Sequence, residues 1–502
     1  MRWNYLNQSF IFIVCCVVII GIGCGPSPNS GGDTAVSLQN NGSPPDETPN
    51  SDALINAPAT FTPVPTSDII PTETPQILPK STDEPEDLPQ ATAVYTPTPT
   101  SEPLYTPDVV VVVDPEEGVP TAVPEFEVPE ETTTMLLLGN DGGINTDTII
   151  IAAINKEGPT ASILSLPRDL YIYIPFHGMG RINTVMARGG PELLKQTIQY
   201  NFGVPIHFYA QVDFDGFKET VDILDTVEIA VSCELQDWRL KSPELDPEDE
   251  DNWEQFLLEP GVHQMDGDMA LWYVRSRKTT SDFDRGRRQQ QLIRAMLNQA
   301  VDVGALSDFP SLWSTYQTYV STDMDIGRVL QIASIAPAIR ENGVQHLYVA
   351  QKTESWVAPD GANVLLPVWE GERKMEEEFS RLFLPPALNM AAQEPITVEI
   401  LNASGNPDLT ALAADNLAWF GFTAVDGGSA AETSKTQLRY FHSNFKGSFD
   451  WLISWIFDME GSDIELADEE DYKFDYQLII GKDYDPCRPR MLAPQLFLNQ
   501  TP

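Results

Sequence analysis

Positive charge is scarce in this sequence. Thirty Lys plus Arg stand against 74 Asp plus Glu over 502 residues, a formal net charge of -44. So little cationic surface excludes a general nucleic-acid binder, because that binding rests on neutralising phosphates. Cysteine is equally sparse: Cys15, Cys16, Cys24, Cys233 and Cys487. No CxxC or Cys/His ligand spacing occurs among them, which argues against a zinc site. Nothing in the spacing pairs Cys233 with Cys487, and both are expected as unpaired thiols. The apolar run from Phe10 to Gly23 falls short of the ~18 residues of a membrane-spanning helix and suits the core of an export signal. Apolar residues are not lacking. They make up 42% of the chain, with ten Trp, enough for at least one sizeable core, and the length suggests two or three domains.

Residues 1–24 end in "GIGC", which resembles a bacterial lipobox with Cys24 as the lipidated residue, although Gly21 stands where a larger aliphatic side chain is usual. Lipoprotein, uncleaved signal anchor and plain secretion all place the bulk of the chain outside the cytoplasm. Residues 25–132 hold twenty-one of the 41 prolines, nineteen acidic residues and one lysine, Lys80. Such a Pro/Thr/Glu-rich composition cannot bury a core and reads as a long disordered linker, with "VVVVV" at 109–113 as an isolated short strand at most.

Folded sequence begins near residue 133. Met135–Leu138, Thr148–Ile154 and Ala161–Leu166 are three β-branched, apolar strands separated by turn signals. A helix over Pro191–Asn201 follows, then a strand-to-helix passage at "HFYAQVDFDGF" and a further strand at "VEIAVSC". The acidic stretch 237–259 is expected as a surface loop. "GDMALWYVRSR" opens with a helix, and Phe283–Val303 is a long one, with helical stretches continuing to about residue 390. Residues 133–390 therefore form an α/β domain with both faces of its sheet covered. Residues 395–485 read as a second, small α/β domain, and 486–502 as a tail.

Three groups of residues carry chemistry. Asp141 and Asp147 sit in one tight loop between the first two strands; taken alone they are turn-forming residues first and a hard-cation site second. Arg168 and Asp169 follow a strand end, where ligand crevices form, though taken alone they are a surface ion pair first and a site second; Arg181 lies in the next loop ahead of a helix. In "YVRSRKTTSDFDRGRRQQQ" the cations Arg275, Arg277, Lys278, Arg285, Arg287 and Arg288 crowd together. Arg285, Arg288 and Gln289 are expected on one helix face, and Arg294 at an exposed position further along. Converging guanidinium groups suit phosphate oxygens, so an anion site is expected here.

The ordered motifs "LLLGND", "TDTIIIAAI", "LSLPRDL", "RINTVMARGG", "VDFDGF", "GVHQMDGDMALWYVRSR" and "SDFDRGRRQQQ", spanning 135–303, resemble the LytR–CpsA–Psr family, and 396–482 looks like the LytR C-terminal domain. The resemblance implies a central mixed β-sheet flanked by helices. It implies an extracytoplasmic phosphotransferase that moves a glycopolymer from a polyprenyl-pyrophosphate carrier to a cell-wall acceptor such as peptidoglycan. Alternatives are a polyprenyl-pyrophosphate hydrolase and a non-catalytic lipid-binding or wall-anchoring protein. By the same resemblance Arg168, Arg275, Arg277, Arg285 and Gln289 are pyrophosphate ligands, to which the residue reading above adds Arg181 and Arg288. Asp141 and Asp147 hold Mg²⁺, and Asp147, Asp169 and Arg168 are catalytic. The sequence departs from the family pattern at Gly143 and Asn145, where arginines are usual, and at Asp225-Thr226, where a Gly-Gly turn is usual.

Overall fold

The computed structural model describes residues 119–140, 145–280, 282–302, 317–370, 375–384, 395–441, 449–467 and 472–487. The signal segment with Cys24, the linker to residue 118, Asp141, Gly143 and the tail beyond residue 487 lie outside these residues.

The first folded unit runs β1 (Thr132–Gly139), β2 (Thr148–Asn155), β3 (Thr160–Leu166), β4 (Tyr171–Ile174), β5 (Gly178–Arg181), α1 (Val185–Phe202), β6 (Phe208–Val212), α2 (Phe214–Ile223) and β7 (Val227–Val231). It continues with β8 (Leu235–Leu240), β9 (Trp253–Leu258), β10 (Gly261–Met265), α3 (Gly267–Arg275) and α4 (Asp282–Asp302). The later elements are β11 (Ser321–Thr322), α5 (Ile326–Asn342), β12 (Val344–Tyr348), β13 (Thr353–Val357), β14 (Asn363–Pro367) and α6 (Met375–Arg381). Six strands form the central mixed sheet in the order β11-β6-β1-β2-β3-β12. β1 is parallel to β6 and antiparallel to β2, while β3 is antiparallel to β2 and parallel to β12.

The composition of β1 explains its place. Met135 and Leu137 enter one core layer and Leu136 and Leu138 the other, so from Met135 to Leu138 the strand is apolar at every position rather than at alternate ones. One layer lies under α2, α3, α4 and α5; the other lies under α1 and α6, where Phe202 stacks on Phe379 with ring centroids 4.6 Å apart. α1 starts earlier than its apolar periodicity suggests and kinks at Gly189-Gly190, immediately before Pro191.

Two further stretches differ from the sequence reading. Val119–Glu131, assigned by composition to the linker, runs along the folded unit: the amides of Val123 and Phe126 donate to the carbonyls of Tyr200 and Gly203 at 2.9 and 2.8 Å. Residues 237–259 are no loop. β8 and β9 pair from Leu235↔Leu258 to Leu240↔Trp253, and the acidic run forms only the tip of this hairpin, where Asp246 and Asp249 cap their own turns. The ribbon packs only Leu235, Phe256 and Leu258 on the core, and the polar and charged residues between them hide its strand signature.

The second unit comprises β15 (Ile396–Asn402), α7 (Asp408–Trp419), β16 (Phe422–Ser429), β17 (Gln437–Phe441), α8 (Asp450–Phe457), β18 (Ile464–Ala467) and β19 (Tyr476–Ile480). Its five-stranded sheet has the order β16-β15-β19-β17-β18. α7 packs on β7 and β10 of the first unit, which returns the end of the chain to the strand that Cys233 follows. The two late cysteines are therefore not unpaired: Cys233 and Cys487 form a disulfide with Cα atoms 4.5 Å apart.

Candidate functional site

β1, β3, β6 and β12 point the same way, and the loops leaving β1, β3 and β6 gather at one end of the sheet, the end where open α/β sheets place ligands. The loop from β1 returns through Asp147, whose amide donates to the Gly139 carbonyl at 2.9 Å. Arg168, two residues beyond β3, donates from Nη1 to Asp147 Oδ1 at 2.7 Å. Asp169 stands between Arg168 (3.5 Å) and Arg181 (3.6 Å). After β6, Asp213 caps α2 by accepting from the Gly216 amide, which sets Phe214 at the cavity wall.

The opposite wall comes from α3 and α4. The guanidinium of Arg275, the last residue of α3, lies 4.0 Å from the Phe214 ring centroid. The loop that carries Arg277 is held by Asp237 of the β8–β9 hairpin, which accepts from the amides of Arg277 and Lys278 at 2.7 and 3.1 Å. In α4, Arg285 and Gln289 face the sheet, and Gln289 donates to Thr148 Oγ1 at 3.0 Å. Gly286 lets this helix lie close to β12, since a Cβ there would sit 2.7 Å from the Tyr348 ring.

These side chains surround a cavity of about 340 Å³. Asp147, Arg168, Arg275, Arg277, Arg285 and Gln289 supply its polar wall. Leu137, Ile150, Phe217, Leu292, Ile293 and Met296 supply an apolar one. The cavity is amphipathic, and it suits a ligand with an anionic head and an apolar tail.

The six crowded cations do not converge. Arg275, Arg277 and Arg285 line the cavity. Lys278 lies over Trp238, and Arg287 points away from the sheet to Asp415 and Asn416 of the second unit. Arg288 corrects the expectation of a shared face. It is 7% exposed, and its guanidinium donates to the carbonyls of Tyr273 and Ser276 and to Thr280 Oγ1. It holds the loop that bears Arg277, and burial pulls its pKa below the ordinary arginine value. Arg294 is not an exposed residue either; it pairs with Asp415. Neither Asp169 nor Arg181 lines the cavity: Asp169 meets Arg168, which does, and Arg181 reaches the site only through Asp169. Asp237, Phe214 and Thr148 escaped the sequence reading; only Phe214 left a signal, as the aromatic after the capping aspartate in "VDFDGF".

At Asp225 the chain adopts φ +73° in the turn where a Gly-Gly pair is usual, so an aspartate carries the left-handed conformation that glycine takes without strain. Among the described residues no helix is long and apolar enough to cross a membrane. None of their His, Cys, Asp and Glu side chains form a cluster of three or more suited to a metal ion.

The chain is similar to the polyisoprenyl-teichoic acid–peptidoglycan teichoic acid transferase TagT of Bacillus subtilis, with 27% identity over 202 residues that cover 38% of this chain and 60% of the relative. The corresponding TagU protein of Oceanobacillus iheyensis is 29% identical over 225 residues, 42% of this chain and 65% of the relative. The chain thus spans less than two thirds of these curated relatives. The crystal structure of Bacillus subtilis TagV superposes with a TM-score of 0.41 at 20% identity, over 48% of this chain and 92% of that one. Residues 395–484 match the model described as "LytR cell envelope-related transcriptional attenuator". Residues 114–378, more than half the chain and every wall of the cavity, match the LytR_cpsA_psr family model, and the chain belongs to that family.

Proposed function

We propose that this protein is an extracytoplasmic phosphotransferase that moves a glycopolymer from a polyprenyl-pyrophosphate carrier to a cell-wall acceptor such as peptidoglycan. One observation carries the reading: arginines at the polar wall and aliphatic side chains behind them line the same cavity. A lipid pyrophosphate has that polarity, and the activity in the names of the TagT and TagU relatives is consistent with it.

In the proposed reaction an acceptor hydroxyl attacks the phosphorus that bears the glycopolymer. The new O–P bond forms as the bridging P–O bond breaks, and polyprenyl phosphate leaves. Arg275, Arg277, Arg285 and Arg168 stabilise the charge that develops on the phosphate oxygens. Asp147 is held by Arg168 at 2.7 Å. Asp169 stands behind Arg168, just outside the cavity lining, and is assigned the hydroxyl proton of an acceptor that arrives at that edge.

Mg²⁺ fits the residues present. Mg²⁺ takes one or two carboxylates plus substrate oxygens, so a larger cluster is not required. Asp147 offers a carboxylate at the cavity wall, and beside it Thr146 Oγ1 and Asn183 Oδ1 are buried without a hydrogen-bond partner. Asp147, together with Asp141, would hold the ion, whose chemistry is to neutralise pyrophosphate oxygens. Anchoring at the outer membrane face through lipidated Cys24 or an uncleaved signal completes the proposal. Fatty-acid labelling that marks wild type and Cys24→Ala equally would remove the lipidation.

The test compares binding of a polyprenyl pyrophosphate, with and without Mg²⁺, to wild type, Arg277→Lys, Arg285→Lys and the control Arg439→Lys in the second unit, where Arg439 is 41% exposed beside Glu465. A planar fork contributes ~1.5–3 kcal/mol per charge-assisted contact that an ammonium does not reproduce. Losses of about tenfold or more at the first two and none at the control are expected. Equal binding by all three sinks the assignment. A second reading, lipid-pyrophosphate binding without transfer, is favoured by Gly143 and Asn145 in place of arginines. It would be revealed by binding without glycan transfer, and hydrolysis by release of phosphate without an acceptor product.

A further inference from the structure

α4 has two working faces. One presents Arg285, Gln289, Leu292, Ile293 and Met296 to the cavity. The other presents Arg287 and Arg294 to the second unit, and both meet a single carboxylate, Asp415 of α7. Asp415 is 7% exposed. Arg287 also donates to Asn416 Oδ1 at 2.8 Å and lies over the Trp419 ring, while Asn416 donates to Tyr484 Oη at 2.9 Å. On the third side of α4, Gln290 donates to Ser165 Oγ and to the Leu347 carbonyl of the central sheet at 2.7 and 2.8 Å.

The second unit is thus braced against the back of the helix that carries the cavity's arginine. Two guanidinium groups only 15% and 14% exposed are balanced here by one shared counter-ion, and removing that ion leaves their charge largely uncompensated. The helix must then shift, or the second unit must lift away, and either movement displaces the opposite face of the same rigid element. Sites of this kind lose function when supporting groups let ligands drift by about an ångström.

We propose that the C-terminal unit is a positioning element for the cavity: Asp415, acting through Arg287 and Arg294, fixes α4 and thereby sets Arg285 and Gln289. The proposal rests on the cavity's being the lipid-pyrophosphate site. It gives the C-terminal unit a role in the first unit's chemistry without contact with the substrate.

The test uses the full chain with geranylgeranyl pyrophosphate as the probe, and two readouts. Hydrogen exchange of α4 amides without probe reads the brace itself. Asp415→Asn should speed that exchange by about tenfold or more. Affinity reads the consequence. Asp415→Asn should weaken binding roughly three- to thirtyfold. Asp415→Asn on an Arg285→Gln background should add nothing, because the effect travels through Arg285. Adding Arg294→Gln to Asp415→Asn restores the charge balance and should recover part of the affinity, which simple loss of fold would not allow. Arg294→Gln alone supplies a second variant should Asp415→Asn fail to fold. Unchanged α4 exchange, or wild-type affinity despite faster exchange, overturns the proposal. If wild type itself does not bind the probe, the cavity reading fails instead, and the exchange measurement still decides whether Asp415 holds α4.

Discussion

Cys233 and Cys487 lie 254 residues apart in the chain and are joined by a disulfide. Cys233 follows the strand β7 that α7 packs against, and Cys487 follows the final strand of the second unit. The bond therefore closes the same interface that Asp415 closes electrostatically. Asn416, 0% exposed, completes the join by accepting from Ser232 and from Arg287.

Cutting this bond should loosen the second unit. Crosslinks of this kind typically contribute ~2–4 kcal/mol, and Cys487→Ser is expected to lower the unfolding temperature of the C-terminal unit while leaving the first unit's core intact. Alkylation of the unfolded, unreduced chain followed by peptide mapping checks the bond directly. Labelled Cys233 and Cys487 would contradict it.

The fold was largely legible because its core strands are unambiguous. β1 and β2 are buried at nearly every position, and their runs Met135–Leu138 and Ile149–Ile154 are apolar throughout, as strands covered on both faces must be. The β8–β9 hairpin was illegible because it lies outside the central sheet and Asp237, Arg239 and Glu254 fall on the face that also holds Leu235 and Leu258. Within the site, helical spacing located Arg285 and Gln289 but grouped Arg288 with them. Positions three apart differ by about 60° around a helix, and here that angle separates the cavity from the Tyr273 and Ser276 carbonyls. The role of Arg287 and Arg294 was invisible in sequence, since their partner Asp415 belongs to the other unit.

Arg288 and Arg285 should consequently fail in different ways. Arg288→Met strands two carbonyls and a hydroxyl, an expected cost of about 2–4 kcal/mol in urea unfolding. Arg285→Met should stay closer to wild-type stability yet lose pyrophosphate affinity. Equal destabilisation with equal binding loss would merge the two roles and contradict the distinction.

Asp225, at φ +73°, bears on the chain's departure from its family. Asp225→Gly relieves the left-handed strain and should be neutral or stabilising. Asp225→Val should cost ~1–2 kcal/mol, because a β-branched side chain is disfavoured there. Denaturant midpoints of the three proteins decide; a tolerated valine would show that the turn relaxes.

The last prediction concerns pH. His346 is stacked on Trp419 with ring centroids 4.8 Å apart, and its ring nitrogens face Arg294 at 3.3 Å and Gln290 at 3.0 Å. Burial, then Arg294 and Arg287, hold its pKa well below the ordinary imidazole value. The unfolded chain therefore takes up a proton that the folded one refuses. Stability from this group is fully present above about pH 6.5 and is lost as pH falls below that value, by at most ~1.4 kcal/mol per pH unit. His207, also lowered by burial, contributes in the same direction, so the assignment needs a difference measurement. Unfolding free energies of wild type and His346→Gln at pH 7.5, 6.5 and 5.5 should converge as the pH falls, because only wild type loses this contribution. Parallel curves would mean that His346 takes up its proton without disturbing the interface.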